Sequence, residues 1–438
     1  MNTNDEYRQI LKRLISEILP FWLEHGMDRD EGGVFACFDG ITGERVADHK
    51  FMWVQGRMLW LFSRLHEFLA TESPASPGMA GNPSLIGDVG EAAHSIYRFV
   101  SRVGVTEQNR VPFLVTPAGA ITTLHALGIA DNDDPLASTF SDCFVAMGLA
   151  AYGRVFDEAS ATARGRSILE STIAVLRDGG FRTHPYPEPE GLESLGSRMI
   201  LAMAAGEFRP APMAEQFILQ TFRDLRERFL RPDGFFRELV PRGSYQGTTV
   251  LLEYTNPGHS LETYSLLQEH ADLAAHAGWD TALLETGTLM TIQGGWDHKH
   301  GGMFAFVVPG ISIDGENDGE IGMAERFRPD DTCAEETLYA IVKRDWSLKL
   351  WWPQVEGMLA SLTVGTAAKN KELVGWYEKL REYAFRTFPD PAGKEWIHIR
   401  DRRGTPIRRV VALPVKDPYH IARCFLKILL VLRHEISW

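Results

Sequence analysis

Asp30-Glu31-Gly32-Gly33-Val34-Phe35 returns along this chain as Asp178-Gly179-Gly180-Phe181, Asp233-Gly234-Phe235-Phe236 and His300-Gly301-Gly302-Met303-Phe304. Arg110-Val111-Pro112-Phe113 and Gly393-Lys394-Glu395-Trp396 are weaker copies. Marked at Gly33, Val111, Gly180, Gly234, Gly302 and Trp396, the six copies stand 54 to 94 residues apart, around one sixth of the 438-residue chain. A unit of that size holds two helices, their loops and a short hairpin. Stacked units bury each other's apolar faces, so recurrence predicts architecture better than local propensity does. Six helical pairs closed into a ring make an all-α (α/α)6 barrel. The expectation is one such domain over residues 1–438, with short β-hairpins at the rim of a funnel.

The intervals carry the periodicity this requires. Ile10, Leu11, Leu14, Ile15, Ile18 and Leu19 share one face of a helix predicted over Asp5–His25. Trp53, Gly56, Arg57, Trp60, Leu61 and Arg64 follow at helical spacing, and the closing pairs are expected over Glu335–Lys343, Trp352–Val364, Lys371–Phe388 and Pro418–Glu435. Thr71–Asn82, rich in Ser, Pro and Gly, reads as a surface excursion. Ile311–Glu325 is the most polar insertion; its Asp314-Gly315-Glu316-Asn317-Asp318-Gly319-Glu320 lacks the ligand spacing and closing Glu of a calcium loop.

Composition narrows the function classes. A net charge of −13 with interspersed signs does not suit a phosphate-tracking surface, so nucleic acid is a poor partner. Cys37, Cys143, Cys333 and Cys424 lie far apart, as reduced thiols rather than a zinc site or disulfide framework. The polar start Met1-Asn2-Thr3-Asn4-Asp5-Glu6 lacks a signal peptide's character, and no apolar run suits a membrane span, so the expectation is a soluble, cytoplasmic protein. No G-x-G-x-x-G, P-loop or G-x-S-x-G is present to support nucleotide redox, phosphoryl transfer or α/β-hydrolase chemistry. Asp297-His298-Lys299-His300 lacks metal-ligand spacing, so neither a metal nor a cofactor is expected.

Two of the 14 histidines stand out. His259 follows Asn256-Pro257-Gly258, and His420 follows Asp417-Pro418-Tyr419, with Asp417 as a cap and Pro418 in the first turn. Both imidazoles thus fall in the first turn of a helix. The positive dipole end disfavours their protonation there by about 0.3–1 kcal/mol, which favours the neutral, base-competent form. Each has an ionisable residue three positions on, Glu262 for His259 and Arg423 for His420. Arg57 among Trp53, Gln55 and Trp60, and Glu356 one turn after Trp352, suit hydroxyl recognition; an Arg–Glu brace between helices fits equally well.

Taken together, these segments resemble the N-acylglucosamine 2-epimerase family, which includes renin-binding proteins, cellobiose 2-epimerases and mannose-type isomerases. The resemblance rests on Lys50-Phe51-Met52-Trp53-Val54-Gln55-Gly56-Arg57, Asn256 to Glu262, Trp296 to Phe304, Lys349 to Glu356, Glu395-Trp396 and Pro418 to Arg423, in the same order. It implies the same barrel, His259 and His420 as the catalytic pair, and Arg57, Trp53, Glu262, Trp352, Glu356 and Trp396 as sugar contacts. A homodimer is also implied. One departure concerns a mid-chain helix in which cellobiose epimerases carry a third His; Leu192 to Ile200 here has none, which argues against a disaccharide substrate.

The implied chemistry is consistent with the residues. C2–H of a reducing sugar becomes acidic once the ring opens and C2 lies α to an aldehyde. Inversion at C2 needs acid/base groups on both faces of a cis-enediolate, and imidazoles serve at neutral pH. In this reading Glu262 orients His259 and Arg57 holds the O1/O2 edge. The expected activity is 2-epimerisation of an N-acyl-D-glucosamine-type reducing sugar, with mannose–fructose isomerisation on the same site as the alternative. An inverting glycoside hydrolase using Glu262 and Glu356, and a partner-binding scaffold, are the rivals from other classes.

Overall fold

The computed structural model describes residues 3–72, 84–129, 133–310, 325–410 and 413–433. Most of the predicted excursion at 71–82 and of the polar insertion at 311–325 lies outside the described residues, as does the end of the last predicted helix. Six helices line the axis: α2 (Met52–Ala70), α4 (Phe140–Val155), α6 (Leu195–Gly206), α8 (Pro257–Glu269), α10 (Trp351–Ala367) and α12 (Tyr419–Leu432). Each touches the next, and α12 returns to α2 to close the ring. Six outer helices cover them: α1 (Thr3–Arg13), α3 (Leu85–Val103), α5 (Ala159–Arg177), α7 (Pro212–Asp224), α9 (Thr281–Gly295) and α11 (Lys371–Thr387). Helices α3, α5, α7, α9 and α11 pack on the inner helix that precedes them, whereas α1 packs on α12, so the two ends of the chain close the (α/α)6 barrel together.

Sequence pattern separates the two rings. On outer helix α3 the buried positions Leu85, Val89, Ala92, Ala93, Ile96, Phe99 and Val100 form one stripe at three- and four-residue spacing. Inner α4 is buried without a break from Ser141 to Gly153, as a helix walled on all sides must be. Its approach to α2 depends on glycine: a Cβ at Gly56 would stand 2.3 Å from the Phe144 carbonyl carbon. The predicted first helix runs Thr3–Arg13 and continues to Gly26 through π-turns at Leu14–Ile18 and Trp22–Gly26, which flank Pro20, a residue with no N–H to give to the ladder.

All six turn elements follow outer helices, so the recurrence in the sequence marks one edge of the barrel. Short strands pair there: β1 (Lys50–Phe51) with β2 (Leu114–Val115) and β3 (Ile121–Thr122), β4 (Leu192–Ser194) with β5 (Leu239–Pro241), and β6 (Lys349–Leu350) with β7 (Ile399–Arg400). Strands β1, β4 and β6 run directly into α2, α6 and α10, which aims the N-terminal ends of the inner helices at this rim. Two rim units share one frame. Buried Lys50 donates to Asp28 (2.6 Å) and to the carbonyls of Gly32 and Pro117, while Gln55 bonds both main-chain groups of Val34. Buried Lys349 donates to Asp297 (3.1 Å) and the Gly302 carbonyl, while Gln354 bonds both main-chain groups of Met303.

One predicted barrel member is not in the ring. The helix expected over Glu335–Lys343 forms at Thr337–Asp345, but its Leu338, Tyr339, Ile341 and Val342 belong to a second hydrophobic cluster at the rim with Tyr254, Phe306 and Leu350. Among the described residues no helix is long and apolar enough to cross a membrane.

Candidate active site

His259 and His420 enter one cavity of about 440 Å³ at the rim end of the barrel, and both line it. Capping places them. Asn256 Oδ1 accepts from the amides of Gly258 (2.9 Å) and His259 (3.4 Å), and Asp417 Oδ1 accepts from the Tyr419 amide (3.0 Å). Trp352 packs on both imidazoles, with ring centroids 5.0 Å from His259 and 5.4 Å from His420. Gly258 permits this: a Cβ there would lie 2.3 Å from the indole.

Each imidazole is held by a different carboxylate. His259 Nδ1–H donates to Glu238 Oε2 (2.8 Å), and His420 Nδ1–H donates to Glu356 Oε1 (2.6 Å). An ionised carboxylate can only accept, so the Nδ1 proton is fixed and Nε2 is left for the cavity. The two rings differ in proton affinity. Burial works to lower His259, but the charge and hydrogen bond of Glu238, with Glu262 and Glu356 behind it, leave it above the ordinary histidine value. Burial pushes His420 down to about 3; Arg57 and Arg423 add to this against the opposing pull of Glu262 and Asp417. The sequence argument expected both rings to be neutral. Only His420 follows it, and for another reason: burial, with Arg57 and Arg423, holds that ring down despite its bond to Glu356, whereas at His259 the charge and hydrogen bond of Glu238 prevail over burial.

The predicted neighbours rearrange around this pair. Glu262 does not orient His259; it accepts from Arg423 Nη2 (2.9 Å), the same nitrogen that donates to Glu356 (2.5 Å). The i+3 positions of α8 and α12 stand one turn below the histidines and carry opposite charge, so they pair across the barrel rather than with their own helices. Glu356, expected at the sugar, is fully buried beneath His420 and does not line the cavity. Trp396, expected at the sugar, is also fully buried and does not line the cavity: it stacks on Phe388 and meets Phe425 edge-on in the barrel core. Arg57 and Trp53 do line the cavity. Arg57 Nη1 donates to Asp417 Oδ2 (3.0 Å), and its guanidinium lies 4.7 Å from the Trp53 ring centre.

Sequence reasoning missed Glu238, which follows a turn element by two residues and carries no motif. The Asn256 amide also donates to its other oxygen (3.2 Å), so this one side chain ties the His259 ring to its own helix start. Among the described residues, Glu262, Glu356 and His420 bring ligand-type atoms within 4.8 Å of one another. The Arg423 guanidinium donates to both carboxylates there and supplies the positive charge that such a cluster needs.

The carboxylate arrangement bears on hydrolysis. An inverting glycosidase needs two carboxyl groups about 6.5–9.5 Å apart across the substrate. Glu262 and Glu356 instead share one guanidinium nitrogen under the cavity floor.

The sequence profile of the N-acylglucosamine 2-epimerase (GlcNAc 2-epimerase) family matches residues 332–424. An N-acylglucosamine 2-epimerase from Bos taurus is 23% identical over 425 residues, covering 95% of this chain and 89% of that protein. The structure of cellobiose 2-epimerase from Bacillus thermoamylovorans superposes with a TM-score of 0.69 at 17% identity, over 97% of this chain and 99% of that one. A D-mannose isomerase structure superposes with a TM-score of 0.67 at 14% identity, over 97% and 98%. At such identities the structural likenesses speak for the fold.

Proposed function

We propose that this chain is a carbohydrate epimerase of the N-acylglucosamine 2-epimerase family and that it inverts C2 of an N-acylated hexosamine without a cofactor, using His259 and His420. One observation carries the reading: two imidazoles packed on the same indole face one cavity, each with Nδ1 tied to its own buried carboxylate. With the sugar ring open, neutral His420 takes the C2 proton through Nε2. Protonated His259 delivers a proton to the opposite face of the planar cis-enediolate. Arg57 neutralises charge that builds on O1 as the enediolate forms, and is held for it by Asp417. Trp352, packed on both imidazoles, holds them in place at the cavity wall. The enzyme is then left with its one proton on His420, and exchange with water restores the starting state.

Turnover in heavy water tests this. Incubated with N-acetylmannosamine or N-acetylglucosamine, the enzyme should place deuterium at C2 of the product aldose, read by proton NMR. Deuterium at C1 of a ketose formed from mannose would instead assign aldose–ketose isomerisation to the same histidines. His259→Asn and His420→Asn should each lower turnover by about 10²–10⁴-fold. Release of a monosaccharide from a glycoside, with both Asn variants active, would overturn the reading.

A further inference from the structure

The cavity extends well beyond the two histidines. Beyond the histidines one side of its wall is apolar and joins the rim cluster that contains the helix Thr337–Asp345, while Glu188, His398, Arg408 and Arg409 line other parts. Phe306, Leu338 and Leu350 of that cluster face the cavity, and Ile399 and Ile407, adjacent across the hairpin through the Ile407 amide to Ile399 carbonyl bond (3.2 Å), complete the wall. This surface rises to a mouth flanked by Val46 and Val410, which are 56% and 54% exposed. Among the described residues only Ile121 is a comparably exposed large hydrophobic side chain, so two of three stand at this mouth. The loops that carry them are linked by an Asp39–Arg408 ion pair (3.1 Å).

A sugar hydroxyl buried against such a wall would lose its hydrogen bonds to water and gain none. An apolar group would gain by about the free energy of its removal from water. C2 must lie between the two imidazoles for the reaction, so whatever hangs from C2, or from the far end of the sugar, leaves the reacting centre along this wall.

We propose that the substrate carries an apolar substituent longer than acetyl, an alkyl or aryl group, seated on the Phe306–Leu338–Leu350–Ile399–Ile407 wall with its end at Val46 and Val410. This rests on the epimerase reading and names the substrate class for that site. It also accounts for the rim helix that stands outside the ring. Its Leu338 forms part of a wall that the bare barrel does not possess.

The test is a chain-length series: kcat/KM for N-acetyl-, N-butanoyl-, N-hexanoyl- and N-phenylacetyl-mannosamine, beside 6-O-benzyl-N-acetylmannosamine and cellobiose. Burial of each added methylene is expected to raise kcat/KM by up to about fourfold, so the butanoyl sugar should exceed the acetyl sugar by roughly tenfold. A rise along the N-acyl series places the group at C2, and a rise only for the benzyl ether places it at the far end; either supports the proposal. In Ile407→Ser, and independently in Val410→Ser at the exposed mouth, the hexanoyl-to-acetyl ratio should fall toward one. A flat or falling series with N-acetylmannosamine still turned over, or cellobiose as the best of the set, overturns the proposal and leaves the epimerase reading intact. If no member of the set is epimerised, it is the epimerase reading that fails.

Discussion

The fourth and sixth repeats deliver their histidines by the same local device and end with opposite results. Asn256-Pro257-Gly258-His259 and Asp417-Pro418-Tyr419-His420 each use an acidic or amide cap and a proline to set an imidazole in the first helical turn. Yet His259 is raised and His420 is pushed down to about 3. The difference lies in what packs against the rings. Glu238 comes to His259 from the rim with no cation in direct contact, whereas Glu356 reaches His420 already bonded to Arg423, with Arg57 nearby. One motif thus yields two imidazoles of unlike proton affinity, because pKa is set by neighbours brought from other repeats.

The largest effect should come from Arg423, which separates the two environments. Its Nη2 holds Glu262 and Glu356 together, and all three are buried. Arg423→Met leaves two buried carboxylates facing each other without a cation, a loss of about 3–5 kcal/mol. Urea unfolding should show it as a lower midpoint. A stability within 1 kcal/mol of the parent would mean that water or relaxed packing already solvates the pair. Arg423→Lys keeps the charge but loses the planar donor, and should fall between the two.

Glu356→Gln and Glu238→Gln come next, since each keeps an acceptor for Nδ1 and removes one charge. Glu356 anchors both His420 and Arg423, so Glu356→Gln should lower kcat about 10²–10³-fold with KM nearly unchanged, because it does not touch the cavity. Glu238→Gln should cost about tenfold. Equal losses would show that the two rings are interchangeable and that the asymmetry drawn above has no kinetic meaning.

Much of this architecture was legible in the sequence. The turn recurrence gives the ring because each outer helix must hand the chain back over the same edge, and the Asx-Pro-x-His pattern gives the two histidines because capping is local. What escaped is long-range. Glu262 and Arg423 are each one turn from a histidine on their own helix, so helical spacing pairs them with those histidines, but ring closure brings them to each other. Trp396 sits in a segment resembling the family's, yet which side of a strand end faces the funnel depends on packing against Phe388 and Phe425. Glu238 carries no pattern; it stands just ahead of β5 and meets His259 only when the chain returns to the rim at the start of α8.

The subtlest test reads the proton itself. For epimerisation the two histidines must hold one proton between them: with none, the enediolate cannot be reprotonated, and with two, no base is left. In the free enzyme that proton rests on His259, whose value is raised by Glu238, so the basic limb of kcat/KM should lie above the ordinary histidine pKa near 6.5. The acid limb, governed by His420, should lie far below it. Glu238→Gln removes the charge that raises His259, so the basic limb should move to lower pH while the acid limb stays. The two epimers are linked by one equilibrium constant that does not vary with pH, so kcat/KM for both must fall along the same limbs. A basic limb at or below the ordinary histidine value, or one that Glu238→Gln leaves in place, would mean that the proton does not rest on His259, and the division of labour between the fourth and sixth repeats would have to be redrawn.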